Sequence, residues 1–263
     1  MKYLNSRNRA ILREMVRTDF KVRYQGSLLG YAWSLLKPLF LFAILYVVFT
    51  YIIPLGEGVP HFPVYLLIGV VLWGFFNEAT SMGAISVVSR GDLIRKINIP
   101  KYLVVIASSL SALINLGLNL IVIFVFALLN GVYPTFQWLL IFPLILEIYI
   151  LALGISFLLS AVFVKFRDVT YIWEVILQAG FYATPILYPL ISVPANLHKW
   201  FFLNPMAQIV QDARYIIATD TSITIWSTIH SFFALTPFVI IAFIAIVGGI
   251  YFKRRSKYFA EDI

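Results

Sequence analysis

Long apolar runs alternate along this chain with short polar gaps, and the positive charges collect in every second gap. A helix needs about 20 apolar residues to cross a hydrocarbon core roughly 30 Å thick. Six runs reach that length, near 33–53, 62–85, 103–129, 138–163, 171–190 and 232–252. With 61% hydrophobic and 12% charged residues, a soluble fold would lack a polar shell. The sequence therefore predicts an all-α integral membrane protein with six transmembrane helices.

The charge distribution predicts the orientation of these helices. Eighteen of the 20 Lys and Arg residues lie at or before the start of the first run, in the gaps 86–102 and 164–170, or after the last run. The gaps on the opposite side contain the other two, Lys199 and Arg214. Because cytoplasmic loops carry an excess of positive charge, we expect both termini to be cytoplasmic.

Composition also limits the classes of function. The net charge of +8 is explained by orientation and by anionic headgroups, so membrane lipids are expected partners and nucleic acid is not. The chain has no cysteine, and His61, His198 and His230 are too scattered to suggest a metal site. The sequence contains no phosphate-binding loop or other catalytic motif. We expect no enzymatic activity, metal or cofactor in this chain.

Residues 1–24 predict an amphipathic helix. Cations recur every four residues, at Arg9, Arg13, Arg17 and Lys21. Another side is apolar and comprises Ile11, Leu12, Met15, Val16 and Phe20. Such a helix lies along the membrane surface instead of crossing it. It serves either as a topology anchor for the first span or as a contact for a cytoplasmic partner.

A short helix is predicted in the cytoplasmic segment 89–100. Asp92 lies in its first turn, and Arg95 and Lys96 lie in its last, which suits the helix dipole. Leu93 and its apolar neighbours are unusual in a free loop. This pattern favours docking to the membrane or to a partner over a solvated connector.

The fifth run ends in a region rich in helix-terminating residues, namely Pro185, Pro189, Asn204 and Pro205. Segments 194–203 and 206–217 have helical character but are too polar for a seventh span. We therefore predict two short external re-entrant helices between the fifth and sixth spans. Irregular backbone at membrane depth is tolerated where protein or water surrounds it.

The order of these features resembles the membrane permease of polysaccharide-exporting ABC transporters, the group that includes O-antigen, capsule and teichoic acid exporters. The resemblance rests on segments 19–24, 26–38, 95–100, 165–169, 181–189 and 204–206. It implies one permease domain, 1–263, with a six-helix bundle, 33–252, and a cytoplasmic tail, 253–263. It also implies a homodimer bound to two copies of a separate cytoplasmic ATPase, which would hold ATP and Mg²⁺.

The resemblance further implies export of a lipid-linked glycan, typically on undecaprenyl diphosphate, across a bacterial inner membrane. It assigns three groups of residues. The cytoplasmic entrance comprises Arg23, Tyr24, Gly26, Ser27, Leu29 and Gly30. Coupling to the ATPase involves Asp92, Leu93, Arg95 and Lys96. The external gate comprises Pro185, Pro189, Asn204 and Pro205.

Aromatic residues suggest a path for the sugar. A glycan conduit needs flat aromatic faces for sugar rings and few fixed charges that would trap the polymer. Trp73 lies in the middle of a predicted span, and Tyr46 and Tyr51 lie on the neighbouring one. These three residues are the candidate sugar path. The alternative is that they are packed or lipid-facing aromatics.

Acidic residues within the runs suggest an alternative function. Glu78 and Glu174 are placed near cytoplasmic ends, whereas Glu147 is placed near the midplane. A carboxyl group at that depth is costly and usually functional, so the alternative is an ion-coupled secondary transporter that uses Glu147. The sequence shows neither an inverted repeat nor a second ionisable residue near Glu147. A membrane-embedded glycosyl or acyl transferase would need a catalytic cluster that the sequence lacks.

Overall fold

A computed structural model describes residues 6–24, 30–53, 56, 58–96 and 99–259. This described part consists of helices and turns and contains no strand, which confirms the all-α prediction. The helices are α1 (Ser6–Tyr24), α2 (Trp33–Val47), α3 (Phe62–Ser89), α4 (Gly91–Lys96), α5 (Tyr102–Leu129), α6 (Ile141–Phe163), α7 (Val169–Ala183), α8 (His198–Phe201), α9 (Pro205–Ile217), α10 (Ile225–Thr228) and α11 (Thr236–Arg255). A π-helical turn, Val48–Ile52, continues α2, and 3₁₀ turns precede α6 and α11.

Five of the six predicted spans are confirmed, within the described residues, as helices long and apolar enough to cross a membrane. They are Trp33–Ile52, Phe62–Ser89, Tyr102–Leu129, Phe136–Phe163 and Phe232–Arg255. The remaining run, 171–190, forms α7, whose 15 residues extend roughly 22 Å at about 1.5 Å per residue. One helix of that length is shorter than a hydrocarbon core of about 30 Å. The sixth crossing therefore stays a prediction.

The early end of α7 has a local cause. Thr184 leaves the helix with φ −90° and ψ 137°, because the ring of a following proline disfavours helical geometry in the residue before it. Pro185 also lacks the backbone donor that would continue the helix. The chain therefore becomes extended beyond α7 and turns again at Leu190–Ser192.

Helix α3 is the centre of the bundle. Its sequence is apolar on all sides, which is typical of a helix surrounded by others, and Val64, Leu67 and Leu72 are among its buried side chains. It packs against α2, α5, α6, α7 and α9. In contrast, α2 buries one side chain, Phe42, and α7 buries one, Leu177. Both helices therefore have apolar side chains that no described helix covers.

One end of the bundle, which we call the α4 end, contains a second apolar cluster. Met15 of α1, Val87 of α3 and Ile94 of α4 pack there with the C-terminal turns of α6 and α11. Asp19 of α1 and Arg90, which follows α3, form an ion pair. The described N-terminal and C-terminal helices therefore meet at the same end of the molecule.

Helix α1 places its apolar side against the protein. Ile11, Leu12 and Val16 pack on the α4-end cluster around Met15. The side chains of Arg9, Arg13, Arg17 and Lys21 are exposed. The helix predicted over 1–24 is observed as Ser6–Tyr24, and its placement along the membrane surface stays a prediction.

The opposite end of the bundle, which we call the α9 end, contains the starts of α3, α6 and α11. Helix α9 contacts all three and buries Met206, Ile209, Val210 and Ala213 in the main core. It corresponds to the predicted segment 206–217, and the segment 194–203 forms a 3₁₀ turn followed by α8. The depth of these segments in a membrane stays a prediction.

Helices α6 and α11 approach closely because two glycines meet at their contact. A Cβ atom on Gly248 would collide with the carbonyl oxygen of Gly154, whereas a Cβ atom on the adjacent Gly249 would meet nothing within 4 Å. Small residues allow membrane helices to pack backbone against backbone in this way. The two neighbouring glycines of α11 therefore differ sharply in their tolerance of a side chain.

Replacing Gly248 by alanine should destabilise the protein by about 1–3 kcal/mol, the usual effect of overpacking. Gly249→Ala is the matched control, because alanine favours a helix over glycine by about 1 kcal/mol and has open space at this position. Thermal unfolding of both variants in the same detergent micelles measures the difference. If the two variants unfold at the same temperature, α6 and α11 do not pack closely at Gly248.

Candidate functional site

A large cavity opens on the flank of the bundle between α2, α3, α5 and α7. Its volume is about 1200 Å³, and it reaches the middle of α3. Its aromatic lining comprises Trp33, Trp73, Phe75, Trp173, Phe181 and Tyr182. A cavity with apolar walls and a few polar groups is the usual form of a ligand site.

Polar side chains line the cavity at helical spacing. On α7, Thr170, Glu174 and Gln178 recur every four residues and therefore share one face. On α5, Asn115 and Asn119 have the same spacing. Helix α3 contributes Asn77, Glu78 and Ser81, and α2 contributes Ser34 and Lys37. Polar residues within membrane helices usually face protein or a water-filled space, and here they face one cavity.

Hydrogen bonds connect the walls of the cavity. Asn115 of α5 donates from Nδ2 to Oε1 of Glu78 on α3 at 2.7 Å. Trp173 of α7 donates from Nε1 to Oγ1 of Thr80 on α3 at 3.0 Å. Such bonds between membrane helices contribute about 1 kcal/mol each. They set the register of α5 and α7 against α3.

The predicted sugar-path aromatics lie in two places. Trp73 lines the cavity and packs on Phe181 of α7, with ring centroids 6.1 Å apart. Tyr46 and Tyr51 lie edge to face, with ring centroids 6.4 Å apart, and neither belongs to the described cavity lining. The structure thus separates Trp73 from the two tyrosines. The role of all three in a sugar path stays a prediction.

Glu78 does not lie near the end of α3, where the sequence analysis placed it. Glu174 lies near the start of α7, and its position relative to the membrane interface stays a prediction. Both line the cavity, and Glu78 is far from the end of α3 because that helix continues to Ser89. The four-residue spacing of Glu174 and Gln178 was visible in the sequence and could have indicated a polar face on α7. The contact between Glu78 and Asn115 had no such local signal.

Arg214 of α9 is a fully buried cation at the α9 end. It donates to the main-chain carbonyls of Tyr65, Pro185 and Ile186, at 3.0 Å to Tyr65 and 2.7 Å to Ile186. It also donates to Oε1 of Gln211 at 2.9 Å, and its guanidinium lies 3.6 Å from the centre of the Tyr65 ring. Burial lowers the pKa of Arg214 to about 10, so the side chain remains charged at neutral pH.

The other end of α9 also holds the segment that follows α7. Asn204 donates from Nδ2 to Oγ1 of Thr184 at 2.9 Å, and its Oδ1 accepts from the Met206 main-chain N–H at 3.0 Å. The latter bond caps the N-terminus of α9. Helix α9 is therefore attached to the extended segment at both of its ends.

The predicted gate residues are only partly brought together. Pro185 accepts from Arg214, and Asn204 and Pro205 begin α9 beside Thr184. Pro189 lies further on, before the turn Leu190–Ser192. Their action as an external gate stays a prediction. The sequence analysis did not predict that Arg214 joins α9 to α3 and to the segment after α7.

Glu147 has an ionisable neighbour that the sequence analysis did not expect. Gln208 of α9 donates from Nε2 to Oδ2 of Asp212 at 2.8 Å, and both side chains lie near enough to Glu147 of α6 to interact with its carboxyl group. Burial raises the pKa of Asp212 to about 6. The expectation that no second ionisable residue lies near Glu147 is therefore wrong, because only the folded chain brings α9 against α6.

The predicted coupling residues lie on α4. Asp92, Arg95 and Lys96 are exposed and Leu93 is half-buried, while Ile94 packs in the α4-end cluster. Ile94, one of the residues that are too apolar for a free loop, therefore packs α4 against the bundle. Contact of this helix with an ATPase stays a prediction.

The predicted entrance residues fall mostly at the edge of the described structure. Arg23 and Tyr24 end α1, and Gly30 begins a 3₁₀ turn with φ 46°. Gly26, Ser27 and Leu29 lie outside the described residues. Their proposed role at a cytoplasmic entrance stays a prediction.

Comparison with known families shows to which class of membrane protein this bundle is similar. The family described as ABC-2 type transporter matches this chain over residues 11–218. The chain belongs to this family. As an ABC-2 family member it is a multi-pass membrane component of an ABC transporter. Such a component works with an ATPase, and family membership therefore favours ATP-driven transport over the ion-coupled alternative.

Curated relatives of this ABC-2 family member include proteins named for polysaccharide export. The O-antigen export system permease protein RfbA of Myxococcus xanthus is 27% identical over 97% of this chain and 96% of the relative. A protein of the same name from Klebsiella pneumoniae is 28% identical over 77% and 78%. The polysialic acid transport protein KpsM of Escherichia coli is 23% identical over 74% and 76%.

Proposed function

We propose that the chain is the transmembrane subunit of an ATP-driven exporter of lipid-linked polysaccharide in a bacterial inner membrane. The glycan is of the O-antigen, capsule or teichoic acid type, carried on undecaprenyl diphosphate. The observation that carries this proposal is the open cavity of about 1200 Å³ in the flank of the bundle. The names of its curated relatives agree with a polysaccharide as the transported molecule.

The chemistry of the cavity suits a sugar chain. Trp33 and Trp173 offer indole surface to the C–H faces of sugar rings, whereas Trp73 lies mostly buried in the cavity wall. Asn77, Asn119 and Gln178 offer carboxamide donors and acceptors to hydroxyl groups. A lining of this mixed kind binds many sugars weakly, which a polymer that must keep moving requires.

The open side of the cavity supports a homodimer. Phe40 and Ile44 on α2, and Tyr171 and Val175 on α7, are large exposed side chains on the two helices that border the opening. A second copy placed against these faces would close the cavity and turn two half-conduits into one. The exporter would then contain two permease chains and two cytoplasmic ATPase subunits.

The path of the chain supports six crossings. Helices α6 and α11 both run toward the α4 end, so the chain between them must return along the bundle. Trp173 bonds to Thr80, Gly180 lies against Trp73, and Ile186 lies against Gly69. Helix α7 and the extended segment thus follow α3 from its middle toward its start. We place α8–α10 as the external re-entrant region and both termini in the cytoplasm.

Coupling to the ATPase is proposed to pass through α4. Its exposed polar face would contact the ATPase, while Ile94 and the ion pair between Asp19 and Arg90 connect it to the bundle and to α1. A force applied to α4 would therefore move α1 as well. This arrangement provides a physical route from the ATPase to the membrane helices.

The test is transport by a purified complex. The chain is reconstituted into liposomes with its partner ATPase, and an undecaprenyl-diphosphate-linked glycan is added. ATP should raise translocation at least about tenfold over ADP. Reversing Arg95 and Lys96 to Glu should reduce transport strongly while insertion is retained. ATP-independent translocation, or none with an active ATPase, would contradict the proposed function.

A further inference from the structure

Two buried glutamines on α9 differ in how their polar atoms are paired. Oε1 of Gln211 accepts from Arg214 at 2.9 Å and from the Tyr65 hydroxyl at 3.2 Å. Its Nε2 donates to a main-chain carbonyl at 3.0 Å. Gln208 also donates from Nε2, to Asp212 at 2.8 Å, but its Oε1 has no donor among the described residues. Helix α9 therefore has one complete polar network and one incomplete network.

The unpaired atoms of the incomplete network are all oxygens. Oδ1 of Asp212 and Oε1 of Glu147 also lack a donor among the described residues, and Glu147 lies near enough to Gln208 and Asp212 to interact with both. Gln208 has no exposed surface, and Asp212 is 8% exposed. Buried polar atoms without a partner are rare in folded proteins and costly. These three acceptors therefore point to a positively charged ligand or to a proton.

The described cations do not neutralise the two carboxyl groups. Arg214 directs its donors to main-chain carbonyls and to Gln211, and the cations of α11 lie in its last turn at the α4 end. The other charged or titratable side chains on α9, on α6 and on the helices packed against them are acidic groups that line the cavity or are tyrosines. They are Glu78, Glu174, Tyr65, Tyr102, Tyr149, Tyr171, Tyr182, Tyr215 and Tyr251.

A proton suits this cluster better than a metal ion. Two neighbouring carboxyl groups in an apolar setting resist double ionisation, because burial and mutual repulsion both oppose the second charge. A proton on one carboxyl group removes one negative charge and creates an O–H donor for a neighbouring oxygen. Burial raises the pKa of Asp212 to about 6, in agreement with this setting. A Ca²⁺ or Mg²⁺ ion takes about six or more oxygen ligands, whereas each of the three residues has one unpaired buried oxygen.

We infer that Glu147, Gln208 and Asp212 form a proton-binding site that fastens α9 to α6. The proton is bonded to one carboxyl oxygen and is donated to another oxygen of the cluster. On deprotonation it passes to water and leaves two carboxylates in the same buried cluster, so α9 is held less firmly against the bundle. The inference does not depend on the proposed function, since it concerns a proton bound by the permease alone.

The site should make the protein more stable at low pH. The pKa of a carboxyl group in the unfolded chain is about 4, and the pKa of Asp212 in the folded chain is raised to about 6. The folded protein therefore binds the proton more tightly. Its contribution to stability is fully present below about pH 4 and is lost as the pH rises through about 6.

The test compares the wild type with the Glu147→Gln/Asp212→Asn variant, whose neutral side chains have similar shapes and no charge to bury. Thermal unfolding of the full chain is measured in detergent micelles from about pH 4 to about pH 8. The two proteins should unfold within about 2 °C of each other at pH 4. At pH 8 the variant should unfold about 5 °C or more above the wild type. Each single variant, Glu147→Gln or Asp212→Asn, should show part of this effect and provides the test if the double variant does not fold.

A control variant and a spectroscopic measurement make the result specific. Asp220→Asn removes a carboxylate from an exposed position shortly after α9 and should keep the pH profile of the wild type. The infrared difference between the wild type and the double variant at about pH 5 should contain a carboxylic-acid C=O band. This band should disappear at about pH 8, where the site has released its proton.

Two results would overturn the inference. The first is that the wild type and the double variant have parallel pH profiles, or that the infrared difference lacks the carboxylic-acid band. The second is that Ca²⁺ or Mg²⁺ raises the unfolding temperature of the wild type at constant pH but not that of the double variant, which would assign the cluster to a metal ion. Neither measurement uses an ATPase or a glycan, so the proposed transport function is tested separately.

Discussion

Replacing Arg214 by methionine should destabilise the protein by about 4 kcal/mol, since buried acceptors that lose a charged donor cost about 1–3 kcal/mol each. Methionine keeps an unbranched apolar stem but is shorter than arginine and cannot donate to the carbonyls of Tyr65, Pro185 and Ile186. These acceptors cannot turn to water, because the side chain is fully buried. Without these bonds, α9 should detach from the start of α3 and from the segment that follows α7.

Thermal unfolding in detergent micelles measures this effect. The variant should unfold about 10 °C below the wild type, given a shift of about 2–4 °C per kcal/mol for a chain of this size. Arg254→Met, at an exposed position on α11, is the matched control and should unfold within about 2 °C of the wild type. Equal stability of the two variants would show that Arg214 does not hold the α9 end together.

The membrane-spanning helices could be predicted from sequence because the signal is local. A run of apolar residues such as 103–129 has no stable alternative to a helix in lipid, and it was found as Tyr102–Leu129. The end of α7 at Thr184 and Pro185 was equally local, since a proline acts on its immediate neighbours. Hydropathy shows how far an apolar run extends but not where the helix within it ends. The run 171–190 was therefore predicted as one span, whereas α7 ends at Ala183.

The polar contacts of the site could not be predicted because each partner lies far away in the sequence. Glu147 was considered isolated until α9 brought Gln208 and Asp212 against it. Arg214 was counted as one external positive charge among two, yet it is buried in the protein. The periodicity of residues 1–24 predicted a helix, and α1 is observed as Ser6–Tyr24. No local rule distinguishes a helix that places its apolar side on lipid from one that places it on the α4-end cluster.

The cavity itself was beyond sequence analysis for the same reason. Its polar lining comes from four helices, and each contributes short stripes that are individually unremarkable in an apolar chain. Thr170, Glu174 and Gln178 could have been recognised as one face of α7. Their meeting with Glu78 and Asn115 depends on the packing of α5 and α7 against α3.

A bulky group attached inside this cavity should stop transport. The wild type has no cysteine, so Gly74→Cys introduces a single thiol into the cavity lining at a position where a Cβ atom meets nothing within 4 Å. The unlabelled variant should transport normally, because the substitution fills little of the conduit. Attachment of a bulky maleimide should then reduce transport by about tenfold or more, since a filled path leaves no route for a sugar chain.

Gly249→Cys provides the matched control for that measurement. It also replaces a glycine with open space around it, but it lies on α11 and outside the described cavity lining. ATP-dependent translocation of the lipid-linked glycan is measured for both variants before and after labelling, with labelling confirmed by mass. The cavity is the conduit if label at residue 74 blocks transport and label at residue 249 does not. Normal transport by fully labelled Gly74→Cys would contradict the claim that the cavity is the transport path.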